Sequence, residues 1–436
     1  MNVPTVIKVL SSLAVILIVS QFTKKLLLSI LVGAVVLALW TGHSPASMWH
    51  TALQNIFSSS TLMLILVIFQ IMWLSDQMNQ TGMMKELVYA VSERVSKRAS
   101  MAVIPAVIGL LPMPGGAIFS APLVDSCDKD NNVSAEKKTQ INFWFRHIWE
   151  YWWPLYPGVL LTVEITHMPL WKIVAVQFPI TIFQITTGYY WLLRKVPREK
   201  IHKNNFAQKI KTGLLPLFLP ILIIIITYGV ITGANSAAKL FLGNSFQLNK
   251  YLPMCIGIFL AMLTLNFERP LKFAAWKKII LSKRAIIFAG IVLAVRIYGG
   301  FISAKLPNGE LVVEQMRSEM FQWGFPVLTA VVILPFVCGL TTGITVGFVG
   351  ASFPIVVSLL SVGNEVNTAY FLATMAVAFF AGYAGVLLSP VHVCMIVTCE
   401  HFKTKLMNNL AVLSIPVAIV MAATFLWRFI VIAIWG

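Results

Sequence analysis

Residues 107–122 read Val-Ile-Gly-Leu-Leu-Pro-Met-Pro-Gly-Gly-Ala-Ile-Phe-Ser-Ala-Pro, and this stretch limits what the chain can fold into. An apolar helix runs in from Met101 and meets Pro112, Pro114, Gly115 and Gly116. An apolar segment then continues to Val124, followed by Asp125, Ser126 and Asp128. Laid out as helix, residues 101–124 reach ~36 Å, barely one bilayer crossing, with the break in the middle. Broken backbone at membrane depth survives only where protein or a water-filled cavity satisfies the freed N–H and C=O groups. The stretch reads as a re-entrant hairpin, two half-helices with the break at the tip. The plainer alternative is a proline-kinked spanning helix.

Composition supplies the membrane. Of 436 residues, 58% are hydrophobic and 11% charged, and the mean hydropathy is +0.82. A soluble chain of this length has no way to hide so much apolar surface, so an all-α polytopic membrane protein is expected. The formal charge of +17 would suit nucleic acid. However, the Lys and Arg sit in short loops between apolar segments, as the positive-inside rule places them, and no nucleic-acid partner is expected. The first apolar segment lacks a basic n-region and an A-x-A site, so no cleavable signal peptide is expected. Cys127, Cys255, Cys338, Cys394 and Cys399 show no paired metal or redox spacing and read as core residues. No metal and no cofactor are expected.

Ten apolar segments follow one another: 4–20, 26–40, 58–74, 141–163, 171–193, 214–231, 251–265, 285–303, 367–398 and 410–435. An uncharged loop with His43 and His50 follows the second. A charged amphipathic stretch from Lys85-Glu86 through Glu93-Arg94 to Lys97-Arg98 suits a helix on the membrane surface, and a second one carries Glu310, Glu314, Arg317 and Glu319. Residues 325–360 form another long apolar stretch, broken at Gly339-Leu340-Thr341-Thr342-Gly343. If both broken stretches re-enter without crossing, the basic loops 194–211, 269–284 and 403–405 share the inner side with Lys24-Lys25, and both termini lie outside. Each half, 1–200 and 201–436, then has three spans, a surface helix, a broken hairpin and two spans, in opposite orientation. Such an inverted-topology repeat is common in secondary transporters, whose substrate sites lie at the broken helices.

The candidate site residues come from these breaks. In the segment 141–163, Arg146 and Glu150 are four apart, so they share a helix face and can pair. His147 lies between them. Ionisable groups at this depth usually face a protein interior or cavity. Trp153 and Pro154 follow, and Pro154, Pro157 and Gly158 break the helix near its middle. The counterpart segment has Gly382, Gly385, Ser389, Pro390 and His392. Arg146, His147, Glu150 and His392 are candidates for ion coupling or proton handling, with a structural ion pair as the plain alternative for Arg146 and Glu150. Pro114, Gly115, Gly116, Ser120, Trp153, Pro154, Thr341, Thr342, Gly343, Ser389 and Pro390 are candidates for substrate binding, with helix capping and close packing as their plain alternatives. The limb after each hairpin tip begins with free N–H groups and the positive end of a helix dipole, which suits an anion. The carbonyls ending the entering limb suit Na⁺.

The motif Leu111-Pro112-Met113-Pro114-Gly115-Gly116-Ala117 with Phe119-Ser120-Ala121-Pro122 resembles the signature of a family of uncharacterised prokaryotic membrane proteins, domain of unknown function 401. So do Gly347-Phe348-Val349-Gly350-Ala351-Ser352-Phe353-Pro354 and Gly385-Val386-Leu387-Leu388-Ser389-Pro390-Val391-His392. That family is similar to the ion transporter superfamily, with its gluconate permeases, citrate and dicarboxylate carriers, and arsenite and sodium–proton antiporters. The resemblance implies a homodimer working by an elevator mechanism. The hairpins and the fourth, fifth, ninth and tenth segments would move, the other six spans would form the scaffold, and the surface helices would join the two. No Ser-Asn-Thr stands at either hairpin tip, unlike in the dicarboxylate carriers, so the resemblance does not name a substrate.

The expected function is secondary active transport of a small organic anion, a carboxylate, coupled to Na⁺ or H⁺ in the cell membrane. A cation–proton antiporter using Glu150 and His147 is the alternative. A membrane-embedded lipid enzyme is the remote one, because no His cluster, paired Asp motif or nucleophile–base spacing is present. No enzymatic activity is expected.

Overall fold

The computed structural model describes residues 3–92, 95–112, 116–128, 130–198, 214–242, 248–360 and 368–436. Pro114 and Gly115 of the expected first tip lie outside the described residues, as do Met113, Glu93, Arg94, Asn367 and the loop lysines from Lys200 to Lys211. The described chain is helical throughout its regular structure. Ten helices form the first half: α1 Thr5–Thr23, α2 Leu26–Trp40, α3 Pro45–Ile56, α4 Ser59–Gln80, α5 Met83–Ser92, α6 Lys97–Gly109, α7 Ala117–Ser126, α8 Ala135–Arg146, α9 Pro157–Thr166 and α10 Leu170–Gly188. Ten more follow: α11 Leu214–Leu242, α12 Leu252–Glu268, α13 Phe273–Ile280, α14 Lys283–Ile302, α15 Val312–Gln322, α16 Val327–Thr342, α17 Thr345–Leu360, α18 Thr368–Leu387, α19 Val393–Phe402 and α20 Leu406–Trp435.

Among the described residues, seven helical stretches are long and apolar enough to cross a membrane: Thr5–Thr23, Ser59–Gln80, Leu170–Leu193, Phe218–Lys239, Phe273–Ile302, Thr368–Leu387 and Leu406–Trp435. Large apolar side chains stay exposed along them, among them Ile182, Ile226, Leu426 and Phe429. In water each would be costly, whereas in lipid each is solvated. By contrast, α18 is buried almost along its whole length and forms the core against which α16, α17, α20 and α10 pack.

Several expectations are corrected. The loop after Trp40 is largely the helix α3, started by the Ser44 side chain accepting from the Ser47 N–H with Pro45 in the first turn. The basic stretch 269–284 contains α13, and α11 runs on past Ile231 to Leu242. The surface helix α5 turns Met84, Leu87, Val88 and Ala90 into protein, against α4, α6 and α11. Lys97 and Arg98 leave it and open α6, whose N-cap is Ser96.

Both broken stretches are pairs of half-helices packed on each other, α6 on α7 and α16 on α17. Gly343 ends α16 in the left-handed conformation (φ 66°), which glycine adopts freely. The helix α15 meets α16 at 116°, so it departs from the hairpin axis rather than extending it. Packing between the halves is reciprocal: α2 lies on α14 and α4 on α12, while α9 lies on α17 and α19 on α7.

A buried charge cluster holds the base of the first hairpin. Asp128 receives Lys97 Nζ at 2.7 Å and Lys138 Nζ at 3.1 Å, and the N–H groups of Asn132 and Val133 at 3.1 and 2.9 Å. Burial alone would raise the Asp128 carboxyl, but the bonds from Lys97, Val133 and Lys138 outweigh it and hold the group below its ordinary 3.8.

Candidate functional site

The fourth expected segment does break, but earlier than its prolines suggest. The helix α8 ends at Arg146, the chain from His147 to Tyr156 is a series of turns, and α9 begins at Pro157. Arg146 and Glu150 therefore do not stack on one helix face. The helix that would set that spacing stops at Arg146, and the Arg146 guanidinium still lies within electrostatic reach of Glu150.

What the turns do instead is finish the first hairpin. The last carbonyls of α6 have no partners further along their own helix. Trp149 Nε1 donates to the Ala106 carbonyl at 2.7 Å, Tyr156 Oη to Gly109 at 2.5 Å and Trp153 Nε1 to Leu110 at 3.0 Å. The second hairpin is finished in the same way. Ser389 Oγ donates to the Leu340 carbonyl at 2.7 Å, and Gln21 Nε2 donates to Thr341. Close backbone approach accompanies both. A Cβ at Gly109 would meet the Arg146 carbonyl carbon at 3.1 Å, and one at Gly339 would meet that of Gly382 at 3.0 Å.

The breaks converge on a cavity of about 110 Å³. Pro112 comes from the first hairpin and Gly343, Ile344, Thr345 and Val346 from the second. Arg146, Glu150, Tyr156, Pro157 and Gly158 come from one broken segment, and His392, Val393 and Cys394 from the other. Met72 of α4 and Phe288 of α14 close it. Three helices, α9, α17 and α19, begin at this wall, so their positive ends and unpaired N–H groups gather there. The Arg146 guanidinium lies over Gly116, where a Cβ would come within 2.7 Å of its Cζ. A side chain at position 116 would thus displace it.

Behind the wall sits a buried histidine pair. His147 Nδ1 lies 2.6 Å from the Phe143 carbonyl. A carbonyl only accepts, so that nitrogen carries a proton. His392 Nε2 lies 3.0 Å from His147 Nε2, and one of the two donates to the other. Glu150 Oε1 is 3.7 Å from His147 Nε2, and Thr345 Oγ1 donates to Glu150 Oε2 at 3.0 Å. Tyr383 donates its hydroxyl to the His147 carbonyl. These contacts link both broken segments and the second hairpin.

Arg146, Glu150, Gly343 and His392 thus line one cavity, with His147 against it and Gly116 under the guanidinium. Other expected residues serve elsewhere. Thr341 and Thr342 return their hydroxyls to Val337 and Cys338 of their own helix, each at 2.7 Å, which is the capping alternative. Trp153 and Pro154 border a separate apolar cavity with Trp171 and Ile221. Ser120 is buried away from the wall, Ser389 caps Leu340, and Pro390 is exposed. Tyr156 and Cys394 were not expected at the site. Cys394 in particular joins His147 and His392, their ligand atoms all within 4.8 Å of one another. Three such groups can hold a metal ion. Here the Arg146 guanidinium interacts with Cys394, and three positive helix ends face the same space, a field that favours an anion over a cation.

Fold and site together define an all-α polytopic membrane protein with a cavity where its broken segments meet, lined by Arg146 and Glu150. The chain belongs to the family described as proteins of unknown function, DUF401, whose profile matches residues 6–432. No curated protein matches it.

Proposed function

We propose that the chain is a secondary active transporter for a small organic anion bearing a carboxylate, coupled to H⁺ or Na⁺. The observation that carries this reading is the cavity in which Arg146 and the starts of α9, α17 and α19 converge. Arg146 offers a planar, permanently charged fork that matches a carboxylate, and the helix ends add N–H donors. The His147–His392 pair and Glu150 stand within reach as proton-handling groups. The fold supports ten spans and two re-entrant hairpins in an inverted repeat, 1–200 and 201–436, when α2, α12 and the broken α8–α9 pair are counted as crossings. The resemblance to the ion transporter superfamily adds a homodimer, an elevator motion, a cell membrane and outside termini to the proposal.

A second reading has its own observation. Glu150 lies 3.7 Å from His147 and opens onto the cavity, as a cation–proton antiporter would require. One screen separates the two. Purified protein is melted with small carboxylates, each with and without Na⁺, at two pH values, since a ligand that binds the folded state raises its melting temperature. A carboxylate that stabilises wild type but not Arg146→Lys supports the anion carrier. Shifts with Na⁺ and pH alone, with no carboxylate effective, overturn it in favour of the antiporter.

A further inference from the structure

Glu164 lies buried near the end of α9, away from the cavity, at the centre of a charge cluster. Its Oε2 takes Lys250 Nζ and the Tyr251 hydroxyl, both at 2.7 Å, and its Oε1 lies 3.3 Å from Arg296 Nη1. Lys250 and Tyr251 directly precede α12, and Arg296 belongs to α14. The cluster ties a helix of the broken segments to two helices of the proposed scaffold.

Helix boundaries give Glu164 a counterpart. The same number of positions separates Pro157 from Val393, Thr166 from Phe402 and Leu170 from Leu406. It also separates His167 from Lys403, both left-handed at φ 55°. That spacing carries Glu164 onto Glu400. A second spacing carries Leu252, which opens α12, onto Leu26, which opens α2, and with it Lys250 and Tyr251 onto Lys24 and Lys25. The two spacings therefore set Glu400 against Lys24 as Glu164 stands against Lys250, with Lys25 in the place of Tyr251; each set also has a second cation, Arg296 in the first and Lys25 in the second, at positions that do not correspond. The two sets are in opposite states. Glu164 is buried and paired. Glu400, Lys24 and Lys25 are exposed, and among the described residues no ion pair joins them; Lys24 Nζ reaches Gln21 Oε1 at 3.3 Å.

We propose that these are two alternating latches, and that in the opposite end state the Glu164 cluster opens while Glu400 closes on Lys24 and Lys25. The proposal rests on the transporter reading above and adds the residues that hold each end state. Glu164 and Lys250 of one latch, and Glu400, Lys24 and Lys25 of the other, lie at or near helix ends, so breaking these pairs is less costly than separating a pair at the bilayer centre. Each joins one carboxylate to two cations, so closing one compensates opening the other. A carrier needs two end states of similar free energy.

Zero-length cross-linking tests this on the wild-type chain in lipid vesicles. A carbodiimide activates a carboxylate as an O-acylisourea. A touching Lys amine attacks the acyl carbon, the C–O bond breaks, the urea leaves, and the amine loses a proton to become an amide. Mass spectrometry is expected to find Glu164–Lys250 links and also Glu400–Lys24 or Glu400–Lys25 links, never both in one molecule. Lys250→Ala should raise the Glu400 links several-fold, and Lys24→Ala with Lys25→Ala should abolish them and raise the Glu164 link. Glu400 linking to neither Lys24 nor Lys25, in wild type and in Lys250→Ala, overturns the latch. Spin labels at Leu39→Cys on α2 and Ile182→Cys on α10 show which idea has failed. Two distance populations without the Glu400 link overturn the latch alone. A single distance under all conditions overturns the moving-domain reading with it.

Discussion

His147 and His392 meet Nε2 to Nε2 at 3.0 Å. His147 Nδ1 is committed to the Phe143 carbonyl, so its Nε2 depends on His392 for this bond. His392→Leu leaves the buried His147 Nε2 without that partner and is expected to destabilise the fold by ~1–3 kcal/mol. His392→Asn, which keeps a donor, should cost less. Thermal melts in detergent check the order, and a His392→Leu variant as stable as wild type would remove the hydrogen bond from the account.

The caps on the hairpins make a second case. Ser389→Ala deprives the Leu340 carbonyl of its hydroxyl donor, and Trp153→Phe deprives Leu110 of its indole donor. Each is expected to lower stability by ~1–3 kcal/mol. Thr341→Val removes a hydroxyl that bonds only within its own turn at a half-buried position and should change the melting temperature least of the three.

Backbone contact decides the third. At Gly339 a Cβ would stand 3.0 Å from Val386 N, and at Gly385 one would stand 2.7 Å from Leu340 N. Backbone cannot rotate away as a side chain can, so Gly339→Ala and Gly385→Ala should each cost about 1–3 kcal/mol or more and reduce the folded yield on size-exclusion chromatography. Gly229 in α11 has nothing within 4 Å of a new Cβ. There the same change removes a helix-interior glycine and should stabilise by up to ~1 kcal/mol.

Asp128 supplies the pH dependence. Its carboxyl is held below 3.8 in the folded chain, chiefly by Lys97 once burial is overcome. Its contribution to stability is therefore present above about pH 4 and is lost as the pH falls through the folded value. Melting temperature should drop across that acid window in wild type. Asp128→Asn should lose this step and melt lower at neutral pH, by the ~3–5 kcal/mol typical of a broken buried pair. An unchanged acid profile in Asp128→Asn would assign the step to other carboxylates.

Much of the fold was legible because lipid simplifies the code. The limits of α2 at Leu26 and Trp40 follow from one apolar run between Lys25 and Thr41, and both hairpin breaks follow from Pro and Gly. The failures share a cause. Whether α8 stops at Arg146 depends on α6 lying against that carbonyl, and no local pattern records a neighbour so distant in sequence. Trp153 looked like a substrate-binding candidate because what it caps together with Trp149 and Tyr156, the end of α6, is invisible in their own segment. Cys394 looked like a core residue because its histidine partner His147 belongs to the other half of the chain. The signal for α3 was present in Ser44-Pro45, a helix start that its uncharged, weakly apolar surroundings concealed.

The glycine contacts between α16 and α18 carry one more consequence. Where Gly339, Gly382 and Gly385 bring main chain against main chain, no side chain remains to act as a bearing. The second hairpin and the helix beside it form a stiff plate. Met72 and Phe288 meet the cavity wall from the opposite side with side chains that have rotamers to spare. In the elevator motion proposed above, sliding therefore belongs at Met72 and Phe288 and not within the plate.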